Sequence, residues 1–427
     1  MSSIWTPRKR DEPIVTSLLD VDFYTFTMQA FIRRFHRGIH VTLGLRNRTD
    51  VALGRHIREE ELREQLDHVR TLRVQRSELH YLNGTYEYDT RMFDREYIEW
   101  LGRLQLPEYD LEYLPDGNIR LEFGGDWEAA LHWETIGLPI LTELYFESLT
   151  RGMSRLERDA VIAEGVRRLH EKVQLVQRAV ASDHPDFTVA EFGTRRRAFR
   201  VWQRYVDARL AESLPGHYLG TSNTKNAMDL GQEPKGTNAH QLHMVLVALA
   251  SSGTDDDMRE ASRRVYRDWW EMFGQGLSIA LPDTFGSASG LADLGAIGAR
   301  DWKGTRQDSG SPERYADRAV AWYRSHDVDP RGKLILFSDA LDIPRALELD
   351  HYRRGEFRRS SAIGTNFTND FPIPSALALV VKPLTANGIG CLKISDNPAK
   401  SQGNAELVAR YKRVYAYQKG EYAKCRY

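Results

Sequence analysis

Cysteine is nearly absent from this sequence: Cys391 and Cys425 are the only two in 427 residues. Neither belongs to a CxxC or Cys/His pattern, which excludes a disulfide framework and a structural zinc site and suits a reducing cytoplasm. Long hydrophobic runs are also missing, since no stretch reaches the ~18 apolar residues of a spanning helix. The opening "MSSIWTPRKRDEP" lacks the apolar core of an export signal. Neither sign of charge dominates, with 59 Lys and Arg against 60 Asp and Glu for a formal net charge of −1. No global field therefore favours nucleic acid or an anionic membrane, and any anion site must be local. Repeats and low-complexity tracts are absent as well. What remains is a chain with 41% apolar and 28% charged residues, long enough to bury a large core and to form more than one domain.

The pattern changes about a third of the way along. Residues 17–35, "SLLDVDFYTFTMQAFIRRF", place apolar side chains at mostly helical spacing behind a capping-type Ser17 and predict a helix. Strand-like runs follow at 39–48 and 118–127, with helical charge patterns between them. An apolar helix begins near 136, and amphipathic helices are expected over 154–181, 195–213 and 255–276. A second motif then recurs: a short apolar run, a turn, and a cluster of reactive side chains. It appears in "FTVAEFGTRRR", "GHYLGTSN", "GLSIALPDTFGS", "KLILFSDALD" and "SSAIGTN". Buried parallel strands alternating with helices imply an α/β architecture whose site lies at the strands' C-terminal ends. The expected fold is an irregular, TIM-like α/β barrel over 136–372, a mixed α+β domain over 1–135, and a segment over 373–427 whose strands complete that first domain.

Three arginines, Arg195, Arg196 and Arg197, follow the first of these runs. They could form the solvated first turn of the next helix. At the end of a buried strand, however, an unpaired guanidinium is costly, and its planar fork matches carboxylate or phosphate oxygens. His240, among small neighbours in "KGTNAH", suits an accessible imidazole, although a lone histidine is more often structural. Arg306 and Asp308 flank a Ser-Gly turn in "RQDSGSP", Asp339 ends a strand in "FSDALD", and "AIGTN" makes a small phosphate cradle. Each signal is weak alone; their common position after strands gives them weight.

Together with "LLDVDFYTFTMQ" and "VKPLTANGIGCLKISDNPAK", and in this order, these motifs resemble the bacterial nicotinate phosphoribosyltransferases along nearly the whole chain. The resemblance implies a cytoplasmic homodimer with shared active sites. It would form nicotinate mononucleotide and pyrophosphate from nicotinate and phosphoribosyl pyrophosphate, coupled to ATP hydrolysis with Mg2+ and serving NAD salvage. His240 matches the family's phosphorylated histidine. Tyr24, reaching over from the partner subunit, and Phe192 would stack on the pyridine ring. Arg195 and Arg306 would hold the carboxylate and nearby phosphates. Asp283, Asp308 and Asp339 would line the ribose and the magnesium-bound pyrophosphate. Gly364 and Thr365 would cradle the 5′-phosphate, which Arg48 would reach from the other subunit. Ser222 stands where related nicotinamide enzymes carry an aspartate, which favours the acid as substrate. A transferase for another pyridine base and a non-catalytic binding homologue are the alternatives. The sequence departs from the family pattern at Thr25, Ser311, Ala362 and Ala399, close to expected phosphate contacts.

Overall fold

The computed structural model describes residues 12–87, 90–397 and 405–417. Cys425 and Ala399 lie outside them, as does most of the N-terminal stretch read above for an export signal.

The strand His40–Asn47 alternates apolar and polar residues at its start and pairs antiparallel on both sides, with Ile119–Asp126 and with Leu379–Ala386. Tyr109–Tyr113 and Ile389–Gly390 form the two edges of this five-stranded sheet. The C-terminal strands thus complete the first domain, as expected. The helix His132–Thr150 is buried along most of its length, even across Pro139, because it has apolar residues on every side. The helix Asp255–Phe273 shows the opposite logic. A Thr254/Asp257 capping box and three acids start it, Gly274 at φ 49° stops it, and Val265, Tyr266 and Trp269 turn inward.

The six strands of the second sheet are all parallel, in the spatial order Tyr218–Thr221, Val189–Glu191, Arg358–Ile363, Leu334–Phe337, Gly304–Gln307, Ile279–Ala280. The expected α/β strand–helix alternation is present, but the barrel does not close. Among the described residues the edge strands Tyr218–Thr221 and Ile279–Ala280 do not pair with each other. The seam is filled by other backbone. Phe23 N donates to Ser222 O (2.8 Å) and Lys235 N to Thr221 O (2.8 Å), while Thr237 Oγ1 donates to Ile279 O (3.4 Å). These bonds take up edge groups that a closing strand would otherwise satisfy.

The first helix is also shorter than its apolar spacing suggests, running Tyr24–Phe35 instead of 17–35. Ser17 does not cap it; its hydroxyl donates to Glu78 Oε1 at 2.5 Å. Thr224 N and Lys225 N bond to Val21 O and Leu19 O, so this stretch runs beside the second sheet as a rail. Likewise the helix expected from 195 begins at Arg200, behind a 3-10 turn over Thr194–Arg196.

Candidate active site

A cavity of about 940 Å³ opens at the C-terminal ends of the parallel strands. Most of the strands deliver a piece of its lining. Val189–Glu191 is followed by Phe192 and Arg195, and Gly304–Gln307 carries Arg306 and leads to Asp308. Leu334–Phe337 leads to Asp339, and Arg358–Ile363 to Gly364 and Thr365; all of these line the cavity. Tyr24 and Arg48 reach the same wall from the first domain, and His240 from the loop in the seam. Ser222 and Asp283 are buried and do not line the cavity; Asp283 touches His240, and Ser222 touches Asp22, which pairs with Arg195.

The arginine triplet divides. Arg195 lines the cavity, its Nε donating to Asp22 Oδ2 at 2.8 Å and its guanidinium carbon 5.5 Å from the Tyr24 ring centre. That bond uses Nε, so the terminal nitrogens remain for an anion. Arg196 also lines the cavity. Arg197 points the other way, is fully buried, and binds Asp20 through both terminal nitrogens, at 2.5 and 2.8 Å. Its guanidinium helps hold the Asp20 carboxyl below its usual range against the opposing effect of burial. The Arg306 guanidinium carbon lies 5.6 Å from the Phe192 ring centre. Its NH2 donates to Asp308 Oδ1 and its Nε to Ser338 Oγ, both at 2.8 Å. Two aromatic rings, each faced by a guanidinium, therefore border one cavity.

His240 sits among charged groups. Nδ1 lies 3.0 Å from Thr284 Oγ1, and Nε2 lies 3.1 Å from Asp308 Oδ2 and 3.7 Å from Asp283 Oδ1. Lys393 Nζ donates to the same Nε2 at 2.8 Å. Burial and then the Lys393 charge lower the imidazole pKa to about 4, so the ring is neutral at pH 7. Asp283 accepts from Ser309 at 2.5 Å through Oδ2, while its Oδ1 is buried without a hydrogen-bond partner. Burial pushes the Asp283 carboxyl up, but Lys393 and His240 outweigh it and hold it below its usual range. His240, Asp283 and Asp308 bring their ligand-type atoms within 4.8 Å of one another. The Lys393 ammonium already supplies a cation on the Asp283 side of this cluster, 3.8 Å from Asp283 Oδ2.

Lys393, Thr284 and Asp22 are the site residues that sequence reasoning missed. A signal existed for two of them: Lys393 is a lone charge between Leu392 and Ile394, and Asp22 interrupts an apolar run. Thr284 had none. Tyr24 and Arg48, expected to act from a partner subunit, line the cavity of their own chain. Ser222 was expected among the substrate contacts. Its hydroxyl donates to Asp22 Oδ1 at 2.7 Å, and it does not line the cavity.

The nicotinate phosphoribosyltransferase family model matches residues 187–419, and that family's N-terminal domain model matches residues 19–142. The chain belongs to this family. Its structure is similar to that of a nicotinate phosphoribosyltransferase from Vibrio cholerae, with a TM-score of 0.86 and 28% identity over 97% of this chain and 96% of that one. It also shares its fold with the enzyme of the same name from Porphyromonas gingivalis, with a TM-score of 0.82 and 24% identity over 95% of this chain and 100% of that one.

The departures from the family pattern fall into place physically. Thr25 is buried against the helix His132–Thr150, 2.8 Å from Thr135 Oγ1. Ser311 caps the helix Pro312–Ser325, accepting from Arg314 N at 3.4 Å, a role aspartate fills equally well. Ala362 lies within a strand opposite Ala190 and is not among the positive-φ residues, so its methyl strains no turn. The close approach occurs at Gly364, where a Cβ would meet Phe192 O at 2.9 Å.

Proposed function

We propose that this chain is an active nicotinate phosphoribosyltransferase. It joins nicotinate to phosphoribosyl pyrophosphate, releases pyrophosphate, and couples the reaction to ATP hydrolysis through phosphorylation of His240. The observation that carries this reading is the meeting of a neutral buried imidazole, two ring-facing guanidiniums and a glycine cradle at one cavity.

In this reading the pyridine ring lies between Tyr24 and Phe192, with its carboxylate toward Arg195 and Arg306. Gly364 and Thr365 take the 5′-phosphate, and Arg48 adds charge at the rim. Asp308 and Asp339 face the ribose and pyrophosphate. Mg2+, carried on the substrate phosphates and met by these two carboxylates, would neutralise charge on the leaving pyrophosphate. Transfer then depends on positioning and electrostatics, because bond cleavage leaves a cationic ribosyl carbon for the ring nitrogen to capture. Asp22 balances Arg195 and takes the Ser222 hydroxyl, so Ser222 acts on acid-over-amide preference through Asp22 and not by touching the ring. We extend the proposal to a cytoplasmic homodimer serving NAD salvage. Among the described residues no helix is long and apolar enough to cross a membrane.

The test is formation of nicotinate mononucleotide with and without ATP, with nicotinamide competing, alongside incubation with γ-labelled ATP. Acid-labile, base-stable label that disappears in His240→Ala is expected, together with loss of ATP stimulation. Absence of product would point to a binding homologue. Product with another base would move the specificity, and label that follows His243 would displace His240.

A further inference from the structure

Three groups converge on one nitrogen of His240, and they do not all want the same thing from it. Asp308 Oδ2 at 3.1 Å can only accept a proton, and so favours Nε2–H. Lys393 Nζ at 2.8 Å can only donate, and so favours a bare Nε2. The shorter contact belongs to the lysine. Asp308 has other donors, since Arg306 NH2 reaches its Oδ1 at 2.8 Å and the Ser338 hydroxyl lies 3.1 Å from the same atom. The opposite nitrogen, Nδ1, has Thr284 Oγ1 at 3.0 Å, which can accept a proton. Lys393 is buried and also lies 3.8 Å from Asp283 Oδ2.

We propose that Lys393 is a positioning residue for the phosphoryl acceptor: its ammonium holds His240 as the Nδ1–H tautomer, with the Nε2 lone pair presented to the cavity, and passes to the γ-phosphoryl oxygens as they arrive. This rests on the phosphohistidine reading above. Nε2 forms the new N–P bond while the bridging P–O bond of ATP breaks, and ADP leaves with that electron pair. The Nδ1 proton stays on the ring, shared with Thr284. The positive charge that develops on the imidazole then faces Asp283 Oδ1, a buried carboxylate oxygen without a hydrogen-bond partner. A bare buried carboxylate oxygen is costly in the resting enzyme, and the charge on the ring offsets part of that cost by electrostatic attraction, with no hydrogen bond gained.

The tautomer can be read directly, without turnover, by proton–nitrogen correlation spectra of the full-length protein labelled with ¹⁵N-histidine, the His240 signal being assigned from its loss in His240→Gln. The wild type is expected to show a protonated Nδ1 and a bare Nε2. Lys393→Met should convert it to the Nε2–H form bonded to Asp308, while Lys393→Arg should keep the wild-type form. Phosphorylation of His240 by phosphoramidate, a small donor that needs no nucleotide site, should fall at least tenfold in Lys393→Met and recover in Lys393→Arg. A wild-type enzyme with Nε2–H, or a Lys393→Met variant with unchanged tautomer and labelling, overturns the proposal. If Lys393→Met does not fold, the wild-type and Lys393→Arg tautomers decide by themselves. Failure of the phosphohistidine reading is separate: there ATP leaves no label on His240 whatever tautomer it holds.

Discussion

Two buried charged clusters lie beyond the parallel strands, a rear one at the end of Val189–Glu191 and a front one around His240, past Ile279–Ala280 and Gly304–Gln307. The rear one leaves no carboxylate oxygen without a donor, although Arg197 Nε is buried without a partner. Asp20 accepts from Arg197 and Asn223, Glu191 accepts from Gln203, Thr221 and the Gly193 amide, and both carboxylate oxygens of each acid have partners. The front one, around His240, is crowded and incomplete: one nitrogen is approached by three groups while Asp283 Oδ1 has no partner. A buried carboxylate with donors on both oxygens is held in place, whereas one with a bare oxygen is poised to meet an added positive charge. Two arginines two positions apart also divide, Arg195 lining the cavity and Arg197 closing the rear cluster.

The sharpest way to break the comparison is to exchange its two arginines. Arg197→Met leaves Asp20 buried without its cation and should cost about 3–5 kcal/mol in urea unfolding. Arg195→Ala, beside the cavity where water can reach Asp22, should cost much less stability. Equal losses would erase the distinction between front and rear. Instead, Arg195→Ala should weaken nicotinate use by about 1.5–3 kcal/mol, roughly 10- to 150-fold in KM, as a charge-assisted contact does. An unchanged KM in the folded variant removes Arg195 from the substrate site.

The histidines sharpen the contrast through pH. Burial, and then its neighbour His240, lower the His243 pKa to about 3, whereas an unfolded histidine titrates near 6.5. Between these values the unfolded chain binds a proton that the folded chain does not. The stability is complete above pH 6.5 and is lost as pH falls toward 3. A His243→Gln variant should flatten this loss by about 1.4 kcal/mol at pH 5.5 relative to wild type, read from unfolding midpoints across pH. No change in slope would show that His243 is protonated in the fold. The smallest effect belongs to Ser311: Ser311→Ala should cost about 1 kcal/mol of stability through the lost cap, and Ser311→Asp close to nothing. A large loss of activity in Ser311→Asp would instead place that side chain among the substrate contacts.

Much of this was legible because it is local. The alternation in His40–Asn47, the capping box before Asp255 and the apolar run ending at Asp339 each declare an element within a few residues. The first helix was read seven residues too long because the apolar spacing of 17–23 serves a different purpose: those residues pack while their backbone bonds to Val21's and Leu19's distant partners, Thr224 and Lys225. Barrel closure failed for a similar reason, since the loop carrying Lys235 and Thr237 and the chain at Phe23 fill the seam between the edge strands. In the site, the order of motifs was enough to collect Arg195, His240, Arg306, Asp308 and Gly364. It did not show that Lys393 meets His240, because only packing brings those two segments together.

By itself, then, the sequence determined the chemistry available and its place after successive strands, because hydrophobic periodicity and turn residues act over short distances. The tertiary structure alone decided direction: a single 3-10 turn over Thr194–Arg196 sends Arg195 to the cavity and Arg197 to Asp20. It also decided which groups compete for His240. The physical reason is the same in both cases. Where a long side chain points, and what it meets, depends on packing between segments far apart in the chain, and no local propensity encodes that meeting.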